Sequence, residues 1–324
     1  MTMTTPQIEP RHTAVFGATG ATGREITREL LRRGAAVRAI SRSIEKLKRD
    51  FGKLDVELRV ADLLDRDAAV AAAQDCDLIF HCAGLPLHSF DLHPHMTRNT
   101  AWAMRAHDAH GVLVTSFWSY GSQESTSVSE DRPPVDDCRK CRQRREQEEV
   151  MLEAGGAVAI LPDFFGPGAE ASMLNDALAA AAAGKRVLWP GDPDAPRDFI
   201  YIPDVGRVLC DLAWQLESFG KRWNVPGSGV EMPRRLIESV ARGEVKIQRA
   251  RRWMLALGGV FKRQLREFRD VLPLYEGPYG LDGSRLANLL QGLEPTPYDE
   301  ALPATVSWLA PGETSSSRRS DWPA

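Results

Sequence analysis

Short apolar runs separated by amphipathic stretches recur along roughly the first 120 residues. Residues 13–16 form the first such run. Residues 24–33 follow with Ile26 and Leu30 one helical turn apart and Gly34 as a stop, and 36–40 makes a second run. The series continues at 56–60, 78–82, 112–115 and 158–161. This alternation predicts successive β-α units, and so an α/β fold class built on a doubly wound parallel sheet. After Phe164 the pattern changes to a turn-rich 166–168, an alanine-rich helix around 177–183 and a proline-dense 190–196. These features predict a smaller C-terminal lobe folded over the strand ends. The expected boundaries are a flexible N-terminus at 1–10, a first domain at 11–165 with its sheet completed near 197–226, a mainly substrate-binding lobe at 166–311, and a disordered tail at 312–324. Residues 249–269 mix basic and apolar positions and predict an amphipathic basic helix on the surface of the lobe.

Composition narrows the field. With 324 residues, 43% of them hydrophobic and 26% charged, the chain falls in the globular class. A net charge of −3 sets up no field that would draw nucleic acid or an anionic membrane. No segment approaches the ~20 apolar residues of a membrane span, and 1–10 lacks a basic-then-apolar leader, so a cytoplasmic protein is expected. Five cysteines, Cys76, Cys82, Cys138, Cys141 and Cys210, are an odd and scattered set, for which reduced thiols are the expectation.

The first candidate chemistry sits where the first strand ends. Gly17-Ala18-Thr19-Gly20-Ala21-Thr22-Gly23 runs straight into a helix. Glycines there let the chain turn tightly and let a pyrophosphate approach backbone N–H groups, while the helix N-terminus adds partial positive charge. At the end of the second strand, where an acidic residue would hold the ribose 2′-hydroxyl of NAD, stand Ser41, Arg42 and, one turn on, Lys46. A carboxylate would repel a 2′-phosphate whereas Arg42 can grip one, so NADP(H) is expected over NAD(H).

These residues resemble the extended and atypical short-chain dehydrogenase/reductases, a Rossmann superfamily that includes nucleotide-sugar epimerases, dehydratases and NmrA-like proteins. Asp62-Leu63 resembles the pair that contacts adenine, and His81-Cys82-Ala83-Gly84 the segment lying under the cofactor. Thr115-Ser116 through Tyr120-Gly121 is similar to the Ser-Ser…Tyr-Gly segment, and 161–168 to an Arg-Pro…Tyr-Gly-Pro-Gly turn from which Asp163 departs. Arg197-Asp198-Phe199 through Asp204-Val205 and Trp223-Asn224-Val225 match two further segments. By that resemblance Arg197 meets an anionic part of the substrate, with a salt bridge to Asp198 or Asp204 as the plain alternative.

The resemblance also implies a catalytic tyrosine and a lysine four residues later. Aligning that helix ahead of Glu146 puts Cys138 at the tyrosine and Arg142 at the lysine. Ser116 fits the residue that binds the substrate oxygen, Arg142 the one that binds the ribose, and Tyr120, Cys138 or water remains to carry the proton. Two cysteines at 138 and 141 invite a zinc reading, but no second ligand pair lies nearby and no metal is expected. In place of the second arginine of nucleotide-sugar enzymes stands Tyr275-Glu276-Gly277-Pro278-Tyr279-Gly280. His88, Trp118 and Phe164 suit a small, less charged carbonyl or alcohol, aromatic or from secondary metabolism. The expected function is an NADP-dependent oxidoreductase; the alternatives are a silent NmrA-like redox sensor and an epimerase or dehydratase that uses the nicotinamide transiently. Relatives of this shape commonly pair through long helices, which makes a homodimer an expectation.

Overall fold

The computed structural model describes residues 8, 10, 12–135, 138–250, 267–292 and 294–310. The tail expected over 312–324, most of the N-terminal stretch and most of the basic helix expected over 249–269 lie outside them. In the first half run β1 (His12–Phe16), α1 (Ala21–Arg32), β2 (Ala36–Ser41), α2 (Ile44–Phe51), β3 (Glu57–Val60), α3 (Arg66–Ala72), β4 (Leu78–His81), α4 (His93–His107), β5 (His110–Ser116) and β6 (Ser125–Val128). Then come α5 (Arg139–Glu153), β7 (Ala157–Leu161), β8 (Asp163–Phe165), α6 (Met173–Ala182), β9 (Val187–Pro190), β10 (Arg197–Tyr201), α7 (Ile202–Trp214) and β11 (Arg222–Asn224). The lobe adds β12 (Val230–Glu231), α8 (Pro233–Ser239), β13 (Ile247–Ala250) and β14 (Tyr279–Leu281).

Seven strands make one sheet in the order β11-β7-β5-β4-β1-β2-β3, with every pair parallel. The expected doubly wound α/β sheet is therefore present. Successive residues of β1 face opposite sides: Ala14 and Phe16 join one buried cluster with Ile40, Leu113 and Ile160. Val15 joins the other, with Ile26, Leu30, Val205 and Leu209 of α1 and α7. Both faces are thus covered, which is why these strands read as unbroken apolar runs. Each fully buried Val, Leu, Ile or Phe side chain among them contributes about 1.5–3 kcal/mol. The backbones of α1 and α7 approach closely because Gly206 has no Cβ, which would stand 2.8 Å from the carbonyl carbon of Glu25.

The chain order reverses between β1 and β4, so a crevice opens outside their carboxyl ends. Over it sits the lobe, with a second sheet ordered β12-β10-β14-β6, β8 paired to β10, and a β9-β13 ribbon. Its own core gathers Phe165, Leu174, Leu178, Trp189, Phe199 and Leu236. Of the segments expected to complete the large sheet, β11 does so, whereas β10 belongs to the lobe. Arg249, expected in a helix, lies in β13.

Candidate functional site

At the switch point Gly17 takes φ +79°, and its amide and that of Ala18 donate to the carbonyl of Ile40 at 2.9 and 3.1 Å. A Cβ on Gly17 would stand 2.7 Å from Cα of Ala83 on β4's extension, so neither the conformation nor the space admits a side chain. Helix α1 begins inside the glycine motif rather than after it, at Ala21, and has no acidic residue in its first turn. Its N-terminus borders a cavity of about 450 Å³ lined by Gly17, Thr19, Gly20 and Ala21 and by Asp62 and Leu63. Asn99 braces that wall by donating to the carbonyl of Leu63 at 2.7 Å. Ser41, Arg42 and Lys46 also line it. Ser43 caps α2 by accepting from the Lys46 amide, which fixes the turn on which both cations stand. Arg42 and Lys46 are exposed, and neither forms an ion pair among the described residues. Loose cations, a helix N-terminus and a glycine cradle are a fitting set for a dinucleotide phosphate.

Cys82, Ala83, Gly84 and Phe164 border both this cavity and a second one of about 650 Å³, which Thr22 also lines. Gly23 lines neither: a Cβ there would collide with the carbonyl of Gly17, so it serves helix packing. The second cavity is walled by Phe90, Trp118, Phe164, Phe268 and Tyr275. Ser116, at the end of β5, also lines it and has a buried Oγ with no hydrogen-bond partner among the described residues. On its far side Trp118 Nε1 donates to the Tyr275 hydroxyl at 3.2 Å, and that hydroxyl donates to Asp163 Oδ1 at 3.2 Å. Burial raises the Asp163 carboxyl above its ordinary pKa against the pull of Arg197. Arg144 of α5 lies over the Phe90 ring, 4.6 Å from its centroid, and donates to Gln147 Oε1 at 2.6 Å. Burial pushes its guanidinium down to about 10, still charged at neutral pH.

Several expected site residues stand elsewhere. Arg142 is exposed and lines neither cavity; two residues on, Arg144 does. The inward side of α5 carries Lys140, Arg144 and Glu148 at four-residue spacing, a stripe the alignment missed because it is polar rather than apolar. Cys138, proposed as a proton carrier, is 3% exposed and is joined to Cys141 in a disulfide. Its position at the N-cap of α5 turns the chain so that the two Cα atoms lie 5.2 Å apart, which corrects the expectation of reduced thiols for this pair. Tyr120 is 2% exposed, donates to Asn224 Oδ1 at 2.8 Å, and reaches neither cavity. Burial raises its pKa further, so it is a packing residue. His88 is exposed on a short turn whose inward residues are Leu87 and Phe90. Arg197 is 1% exposed and sits behind the cavity wall, its Nη1 donating to the carbonyl of Leu274 at 2.8 Å. It lies over the rings of Tyr275 and Phe117, and its acidic neighbour is Asp163 at 3.7 Å, not Asp198 or Asp204. Asp163 and Tyr275 are the site residues that sequence reasoning passed over, although Asp163 already stood out as a departure from the family turn.

Residues 17–156 match a family model described as NAD(P)H-binding. No curated protein matches the chain in sequence. Among solved structures, UDP-glucuronic acid 4-epimerase from Bacillus cereus in complex with NAD superposes with a TM-score of 0.75 at 16% identity, over 92% of this chain and 98% of that one. dTDP-glucose 4,6-dehydratase from Bacillus anthracis in complex with NAD gives a TM-score of 0.75 at 13% identity, over 92% and 96%. The Bordetella bronchiseptica enzyme WbmH in complex with NAD+ gives 0.74 at 17% identity, over 92% and 98%. At such identities the likeness is one of fold. No helix among the described residues is long and apolar enough to cross a membrane. Residues 17–156 thus match a model of NAD(P)H-binding domains, in a chain that shares its overall fold with an epimerase and a dehydratase solved with NAD.

Proposed function

We propose that the protein is an NADP-dependent oxidoreductase acting on a small, weakly charged and aromatic carbonyl or alcohol. The observation that carries this reading is the junction of the two cavities. The glycine cradle leads along Cys82, Ala83 and Gly84 into an aromatic-walled space where the Ser116 Oγ is unpartnered. A nicotinamide bound along that path supplies or accepts a hydride. Ser116 donates to the substrate oxygen, and the charged Arg144 stabilises negative charge nearby and holds the ribose, the role first assigned to Arg142. Arg42 and Lys46 at the outer end favour a cofactor with a 2′-phosphate. In the cavity, Arg144 is accompanied by Asp163, Glu170 and Asp176, a balance that suits a nucleotide sugar's pyrophosphate poorly.

One observation favours a second reading, a redox sensor that binds NADP(H) without turnover: α5 contains no tyrosine. Titration of the protein with NADPH and NADH, followed by a panel of aryl aldehydes and ketones with the reduced nicotinamide watched by absorbance, separates the two. Tight NADPH binding with substrate-dependent oxidation is the expected result. Binding without oxidation favours the sensor, and product formed without net nicotinamide change favours an epimerase or dehydratase.

A further inference from the structure

Asp163 opens β8, directly after Pro162, and its backbone is pinned by pairing with Phe199 of β10. Its side chain reaches the wall of the larger cavity and keeps 20% of its surface open. One oxygen, Oδ1, accepts from the Tyr275 hydroxyl, while the other, Oδ2, has no hydrogen-bond partner among the described residues. Arg197 Nη2 stands 3.7 Å from Oδ2, beyond hydrogen-bonding reach, and is occupied by backbone carbonyls through its Nη1. Tyr275 is 1% exposed, its hydroxyl proton is committed to Asp163, and it accepts from Trp118. Ser116 and Asp163 line the same cavity, and each keeps a buried oxygen with no hydrogen-bond partner among the described residues at that wall.

Resting on the oxidoreductase reading, we propose that Asp163 is the catalytic acid/base of this cavity and takes the place of the missing tyrosine, with Tyr275 and Trp118 as the residues that position it. In the reductive direction, the carbonyl carbon accepts a hydride and its electron pair from the reduced nicotinamide. The C=O π pair moves to oxygen, and that oxygen takes the proton from Asp163, leaving a carboxylate beside Arg197. Water from the open cavity returns the proton. The alcohol direction runs in reverse, with the carboxylate as base. The balance of burial against Arg197 sets the group up as the acid. Burial raises the carboxyl and Arg197 lowers it, with burial the larger, a shift toward the protonated form that a general acid needs. Among the described residues, the remaining charged groups lining the cavity are Arg144, Glu170 and Asp176.

The test combines the pH dependence of turnover with a readout that needs no turnover. In the wild-type protein labelled with 13C at aspartate carboxyls, one signal absent from Asp163→Asn should titrate above the ordinary range. In Tyr275→Phe, which removes one hydroxyl and keeps the ring, that signal should move. The kcat/KM for reduction should fall as pH rises through the same midpoint. Asp163→Asn should lose that limb and roughly 100-fold or more of kcat, the scale of general acid catalysis, with NADPH affinity kept as proof of folding. An Asp163 signal at or below the ordinary range, or an Asp163→Asn protein that turns over at the wild-type rate, overturns the proposal. Wild-type protein that binds NADPH but oxidises it with none of the carbonyl compounds overturns the oxidoreductase reading itself, and this role with it.

Discussion

Removing Arg42 should change which nicotinamide cofactor the protein prefers while leaving the cradle intact. The guanidinium stands at the end of β2 on the cavity rim and is exposed, with no ion-pair partner among the described residues to lose. Its replacement therefore costs little stability. A hydrogen bond to a charged group is worth about 1.5–3 kcal/mol, and for an exposed arginine the lower end applies. That corresponds to a roughly tenfold weaker NADPH complex in Arg42→Ala, since ~1.4 kcal/mol is a factor of ten. NADH, which carries no 2′-phosphate, should bind the variant and the wild type alike. Lys46 lies one turn further on and adds a second, more distant charge, so the double variant should lose more than either single one. Calorimetric titration with both nucleotides at low salt is the assay. Because the screening length shrinks to ~3 Å at 1 M salt, the wild-type preference should also narrow as salt is raised. Equal losses for NADPH and NADH, or no loss for either, would refute the reading of Arg42 as the 2′-phosphate ligand.

Gly17→Ala should abolish binding of either nucleotide and lower stability, because φ +79° and a Cβ 2.7 Å from Ala83 Cα strain the backbone at the cradle. Thermal melting and the same titration report both effects. Tyr120→Phe should cost about 1 kcal/mol of stability by leaving Asn224 Oδ1 unsatisfied, with kcat unchanged; a large loss of kcat would return Tyr120 to the site. His81 is buried and bonded through Nδ1 to Thr100 Oγ1 at 2.7 Å, and burial pushes its pKa down to about 3. Unfolded, the imidazole gains its proton below pH ~6.5, while the folded protein does not until about 3, so acidification favours unfolding. Stability should therefore fall by about 2 kcal/mol from this group between pH 6.5 and 5. Urea midpoints against pH should show a smaller slope in His81→Gln.

The β-α alternation, the glycine cradle and the cations after β2 were all readable from the chain. Each rests on periodicity or on spacings of a few residues, which strands and helices translate directly into position. Arg42 and Lys46 follow a strand end by one and five residues, so their place on the rim follows once that strand is recognised. The larger cavity did not have this property. A two-residue error in the register of α5 separates the exposed Arg142 from Arg144 in the cavity, because a helix turns by about 100° per residue. Tyr120 finds Asn224 at a sequence separation of 104, and Asp163 finds Tyr275 at 112. Arg197 was placed beside its sequence neighbours but packs beneath a wall of aromatic rings from two other segments. The sequence by itself determined the sheet and the cofactor cradle, since local patterns specify them. Which polar side chains share the larger cavity depends on how the lobe's segments fold back over the strand ends, and so on tertiary packing that no local pattern specifies.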